Sequence, residues 1–316
     1  MHQLSGKCAN PYRSGWRACV LVGLLLTLGA AASAVADPVC PPAGYTRETL
    51  LALREQRFAI ADGDRRQSLA RGLLACLSSP DSELRDHIGY EAYAYWRIGK
   101  SLSAATWTDV EHALIGMLDG PDDSAGVTRP FAALVLAEAV HADRDRPFLD
   151  AARRRALLDS AIAYFVSVRD YRGLDETTGW HHGVAHAADL LGQLALEPDF
   201  GRPEFDRILA ALASQIVAHD GRVYVFGESQ RIAEAVAHVA ARHALPRDAW
   251  RAWLAAATAP APLARWGNAF DSIAGVAKHQ NTMNFLLSLY AELGQSKGAS
   301  LRALAAPVAE AMQPLR

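Results

Sequence analysis

An excess of charge of either sign is missing from this sequence. Its 32 basic residues stand against 34 acidic ones, a net charge of −2, and no long run of one sign appears. Nucleic-acid binding needs a concentrated basic face to neutralise phosphates, so that class of partner is excluded. Signature loops are missing too. There is no GxGxxG, no P-loop and no GxSxG elbow, which removes support for dinucleotide, nucleotide and α/β-hydrolase chemistry. Nor is the chain poor in apolar residues: 51% are hydrophobic, ample for a sizeable core, so general disorder is excluded. Cysteine is scarce, with four in the whole chain.

The first 36 residues differ from the rest. Lys7, Arg13 and Arg17 form a basic leader without an acidic residue, followed by the apolar run from Cys19 to Gly29 and then AAASAVAD. Ala34 and Ala36 fit an A-x-A cleavage site, with Asp37 as the first mature residue. The alternative is an uncleaved anchor, since residues 18–36 are nearly long enough to span. The Ala/Ser-rich end of the run favours cleavage. Asp37-Pro38-Val39 before Cys40 is not lipobox chemistry, and no twin-arginine pair precedes the run. The expectation is a signal peptide over 1–36, one domain over 37–316, and a periplasmic or secreted protein with no membrane attachment after cleavage.

Losing the leader's three positive charges takes the net charge from −2 to −5 and leaves only Cys40 and Cys76. Two thiols in an oxidising compartment point to one disulfide, against the alternative of two buried thiols. Closing that loop would stabilise by roughly 3–4 kcal/mol in the chain-entropy model.

Helical periodicity runs through the mature chain. Thr46, with Thr49 three residues on, opens TRETLLALREQRFAIA, and RRQSLARGLLACL follows the Asp62-Gly63 turn. SELRDHIGYEAYAYWRIG ends near Gly99; TWTDVEHALIGMLDG stops at Gly120-Pro121; PFAALVLAEAVHAD and the helix after Arg146-Pro147 come next. Further helices are expected from about Gly179 to Glu197, Glu204 to Ala218, Ser229 to Ala244, Pro246 to Ala257, Asn268 to Leu293 and Lys297 to Met312. Only Arg222 to Phe226 alternates like a strand, and one such run reads better as an extended loop. Short, Gly/Pro/Asp/Ser-punctuated connections make neighbours antiparallel. The fold class is therefore all-α: antiparallel helical hairpins in an α-α superhelix of the HEAT type, or a compact helical array.

One segment could carry chemistry: RDYRGLDETTGWHHGVAHAADLLGQLAL. It holds three histidines, His181, His182 and His186, and Asp189 close behind them. At about 100° per residue, His182, His186, Asp189 and Gln193 share one narrow stripe, and Val184, Ala187, Ala188, Leu191 and Leu194 lie opposite. The helix is expected to bury the aliphatic arc and present the polar stripe away from it. Imidazoles at i and i+4 with a carboxylate at i+7 are workable spacing for a divalent transition metal such as Zn, Fe or Mn. An HExxH motif is absent, because Gly183 stands where the glutamate would be. The competing readings are a non-metal site and a purely structural polar network.

Secondary candidates surround it. Asp170, Arg172 and Asp175 sit at a helix end and read mainly as bridges to a neighbour. Gly173 and Gly179 suit turns with positive φ. Trp180 is either a pocket wall or a core residue. Glu228 and Arg231 in FGESQRIAEAV face a shared groove or pair locally. Asp86 and His87, adjacent on a helix, point about 100° apart and should not bond each other.

DYRGLDETTGWHHGVAHAADLL resembles the central signature of the bacterial family domain of unknown function 2785, DxRG followed by GWxHxxAHxADLL. The resemblance extends to RDHIGYEAYAYW, to RPFAALVLAEAV (with Pro130 where members tend to have Ser) and to FGESQRIAEAV, roughly residues 45 to 255. It implies that Arg172, Trp180, His182, His186 and Asp189 occupy motif positions, and it implies no catalytic assignment.

Two functional readings follow. The first is a binding scaffold with a His/Asp-lined groove around residues 170–193 for a small molecule, glycan or peptide, with Arg172, Trp180, His181, Glu228 and Arg231 as contacts. The second is a hydrolase using His182, His186 and Asp189, through a metal or by acid–base chemistry.

Overall fold

A computed structural model describes residues 39–316, so the expected leader and its cleavage site lie outside the described residues. Thr46 caps α1 (Arg47–Glu55) reciprocally with Thr49, and Asp62 caps α2 (Gly63–Gly72) through the Arg65 amide. A short 3-10 stretch, Leu73–Ser78, follows, and a π-helix, Glu83–Tyr90, runs into α3 (Glu91–Ile98). The predicted Cys40–Cys76 disulfide is present, with Cα atoms 4.9 Å apart, and pins the extended chain start beneath that 3-10 stretch.

The middle of the chain is a series of hairpins: α4 (Ala104–Leu118), α5 (Thr128–Asp145), α6 (Ala151–Ser167), α7 (Gly183–Leu194), α8 (Arg202–Ser214) and α9 (Glu228–Ala241). The end is α10 (Arg247–Ala257), α11 (Ile273–Gln295), α12 (Ala299–Arg302) and α13 (Ala305–Met312). Alternate helices pack on each other. One row runs α5 to α7 to α9 to α11, and the other runs α2 to α4 to α6 to α8. Hairpin partners α4–α5, α6–α7 and α8–α9 join the rows. This is the all-α hairpin array expected from the sequence.

Several boundaries differ from expectation for identifiable reasons. The helix expected from Gly179 begins at Gly183, because Gly179 takes φ +75° in a two-strand hairpin of β1 (Leu174–Asp175) and β2 (Gly179–Trp180). The terminal helix is split at Ala303–Leu304; Pro307 has no amide hydrogen to continue the ladder across that point. Ser272 caps α11 through the Gly275 amide, four residues after the expected start. Arg222–Phe226 contains no strand, in keeping with an extended loop. Among the described residues no helix is long and apolar enough to cross a membrane.

Candidate functional site

The hairpin before α7 is built by one carboxylate and one buried arginine. Asp175 Oδ1 accepts the amides of Thr177 and Thr178, each at 2.9 Å, which closes the turn. Arg85 of the π-helix is fully buried and donates to the carbonyls of Thr178 at 2.6 Å and Trp180 at 3.2 Å. Its charge is balanced by Asp86 at 2.8 Å, and the guanidinium lies 4.8 Å from the Phe131 ring centre. Asp86 is therefore spoken for, and His87 bonds Glu91 at 3.0 Å.

Beyond the hairpin His182 adopts a left-handed conformation, φ 55°, as N-cap of α7. Its Nε2 lies 3.0 Å from the Phe226 carbonyl. A carbonyl can only accept, so Nε2 carries the hydrogen and Nδ1 the lone pair. The His182 ring stacks on Trp180 with centres 4.8 Å apart, and Phe226 meets Trp180 edge-on at 6.0 Å. Trp180 and Phe226 remain 36% and 39% exposed, so the three rings form an open aromatic ledge. Gly173 makes the ledge possible. Its φ is not positive, contrary to expectation; a Cβ there would sit 2.0 Å from the Phe226 ring.

The stripe on α7 lies opposite its aliphatic arc but is covered by neighbouring helices. α7 lies between α5, α6 and α9, which bury it nearly all round, His186 included. The His186 ring packs edge-on against Phe131 and His182, and its Nδ1 is buried with no protein partner. Burial lowers the His182 pKa to about 4 and holds His186 well below the usual imidazole range. The Arg231 charge lowers both in the same direction.

One further turn along, Asp189 receives both Arg231 Nε, at 2.6 Å, and Nη2. This pair bridges α7 and α9. It begins a cavity of about 210 Å³ walled by the π-helix, α3, α5, α7 and α9. Glu138 projects into it from α5, accepting from Arg97 at 2.5 Å and from Tyr90 Oη at 3.4 Å. Burial and the nearby Glu138 and Asp189 charges raise the Tyr90 pKa to about 12, so its hydroxyl stays protonated. Gln193 accepts from Arg144 at 2.5 Å, and His141 and His238 complete the polar lining. Burial, with Arg97 and Arg144, lowers His141.

The nominated metal set is not assembled. Among the described residues no three His, Cys, Asp or Glu side chains converge on a common point. Asp189 is turned to Arg231, and the exposed edge of His182 is turned to a carbonyl. Trp180, His182 and His186 form one run of ring contacts, and Asp189 and Arg231 pair farther along α7 at the cavity. The other nominees lie elsewhere. His181 is buried, with Nε2 2.8 Å from Thr178 Oγ1. Arg172 pairs with Asp170, and Glu228 is buried and accepts the Phe226 amide at 3.0 Å, fixing the loop that carries the ledge. Sequence reasoning missed Arg85, Tyr90, Arg97 and Glu138. Arg85 had a signal: it lies on the stripe of Ile88, Gly89 and Ala92, an arginine on an otherwise core-facing arc.

Fold and site together define a helical-hairpin array with a polar cavity on its α5–α7–α9 row. The family of proteins of unknown function DUF2785 matches residues 114–291, more than half of the chain. The chain belongs to that family. The match takes in the hairpin, α7, α9 and the cavity's α5 wall; it begins later and ends later than the resemblance read from the motifs. No curated protein and no solved structure matches the chain.

Proposed function

We propose that this protein binds a neutral, hydroxyl-rich ligand of the glycan class, with the cavity at Glu138 and Asp189 and the nearby Trp180 ledge as its contact surfaces. One observation carries the reading: four of the cavity's five charged side chains are paired across helices, Arg231 with Asp189 and Arg97 with Glu138, leaving Glu234 as the one lining carboxylate without a partner among the described residues. What remains for a ligand is a dense set of hydrogen-bond donors and acceptors with little net charge. Planar, ion-paired side chains of this kind suit hydroxyl groups, each of which both donates and accepts. The ledge adds a flat apolar face for a sugar ring. The cavity, about 210 Å³, lies below the roughly 300–1,000 Å³ of drug-sized sites and takes one ring or the end of a longer chain.

Acid–base catalysis by His182 is the weaker reading, since an imidazole with a pKa near 4 is poorly matched to proton transfer at neutral pH. An exported location accords with the Cys40–Cys76 disulfide. The test is to probe the purified protein on an array of neutral and acidic oligosaccharides beside a peptide panel. Retention on neutral glycans is expected. Retention only on peptides or only on acidic glycans contradicts the reading.

A further inference from the structure

A second cavity, of about 320 Å³, lies beside the N-terminus of α7 and is lined by Gly183, Tyr164, Val168, Arg129 and Asp170 among others. The first amides of a helix have no acceptor within it. Here those of Gly183, Val184 and Ala185 have none elsewhere among the described residues either. His182 supplies no side-chain cap, its ring being held by the Phe226 carbonyl. All three residues are nonetheless buried.

Tyr164 provides the second, independent observation. It is only 5% exposed, yet its hydroxyl has no hydrogen-bond partner among the described residues and borders the cavity. A Cβ placed on Gly183 would lie 3.2 Å from that oxygen, so phenol and helix start meet at one spot. Burial keeps the phenol protonated, hence a donor. By contrast the nearby acids are satisfied. Asp122 pairs with Arg129 at 3.1 Å and Asp170 with Arg172 at 3.0 Å, while Asp123 accepts the Gly126 and Thr128 amides, each at 2.7 Å. Where Tyr164 and Gly183 meet, the side-chain and amide groups left without a partner are donors.

We infer that this cavity is a carboxylate-binding site, with one ligand oxygen taken by the Tyr164 hydroxyl and the other by the free amides at the start of α7. Helix N-termini favour anions through both the open N–H groups and the aligned peptide dipoles. A singly charged carboxylate fits better than a dianion such as sulfate, because Asp122, Asp123 and Asp170 stand close by. The inference does not rest on the glycan reading, which concerns a different cavity.

The experiment is a titration of the ¹⁵N-labelled protein with sodium acetate, against sodium chloride at equal ionic strength and a separate sodium sulfate arm. Saturable shifts of the Gly183, Val184 and Ala185 amides are expected with acetate. Tyr164→Phe should weaken them at least fivefold without lowering the melting temperature, since the hydroxyl bonds nothing in the folded protein. Absence of saturation with acetate, saturation by sulfate alone, or an unchanged affinity in Tyr164→Phe would overturn the inference.

Discussion

Arg231 on α9 grips Asp189 on α7 through both Nε and Nη2, and it does so where Asp189 is far more buried than its partner: side-chain exposures are 15% and 42%. The asymmetry sets the cost of breaking the pair. Arg231→Ala leaves a buried carboxylate without a partner, whereas Asp189→Asn leaves a cation that can turn to water. Arg231→Ala should cost on the order of 2–3 kcal/mol and Asp189→Asn about 1–2 kcal/mol, measured by urea unfolding. The double variant should cost less than the sum of the two. Equal single costs that add fully would contradict the pairing.

Acid should destabilise the protein through its buried imidazoles, against an opposing gain from Glu197, whose carboxyl burial pushes up to about 7. His182 is lowered to about 4 and His186 lies well below its ordinary value, both through burial. A depressed folded-state pKa means that the unfolded chain binds these protons more readily. The stabilisation is thus complete above about pH 6.5 and is lost as pH falls toward about 4, by at most about 3 kcal/mol for His182. Across this window His182→Gln should remove its part of the decline from the unfolding midpoints. A His182→Gln profile that runs parallel to the wild type's between pH 4 and 6.5 rules the account out.

Gly173→Ala tests how the ledge is made. A methyl group cannot share space with a ring 2.0 Å away, so Phe226 must leave its place against Trp180. The expected cost is about 1–3 kcal/mol, accompanied by a changed near-ultraviolet circular dichroism signal. A crystal structure of the variant with Phe226 unmoved would refute this explanation for the glycine.

Reduction of Cys40–Cys76 opens a link between residues 36 apart in sequence. The chain-entropy model gives a loss of roughly 3–4 kcal/mol. Cys40→Ser/Cys76→Ala, compared with the oxidised protein in urea, reads the loss directly. A loss well under 1 kcal/mol would mean that the unfolded chain is already constrained there.

How much of this could be read from the sequence depended on the range of the interaction. Helix periodicity and caps such as Thr46 are local, so the hairpin array was legible. The stripe His182–His186–Asp189 was legible as a stripe, but its surroundings were not. Whether it faced water depended on α5 and α9, which arrive from 42 and more residues away in the Asp189–Arg231 contact alone. The same distance hid the metal question: Asp189 looks like a free ligand until Arg231 is beside it. The start of α7 was misjudged because a left-handed His182 and the Asp175 turn interrupt a pattern that is otherwise helical. Tyr90, Arg97 and Glu138 carry no local signal at all, being polar residues on helices whose inward face is fixed only by packing.

The central claim, a site for a neutral hydroxyl-rich ligand, is tested most directly by calorimetry. The neutral oligosaccharide best retained on the array is titrated into wild type and Trp180→Ala at about 50 mM and about 500 mM salt. The account predicts a wild-type Kd that hardly changes with salt and a weakening of about tenfold or more in the variant, through loss of the stacking face. A Kd that climbs steeply with salt, or one that Trp180→Ala leaves untouched, would contradict it.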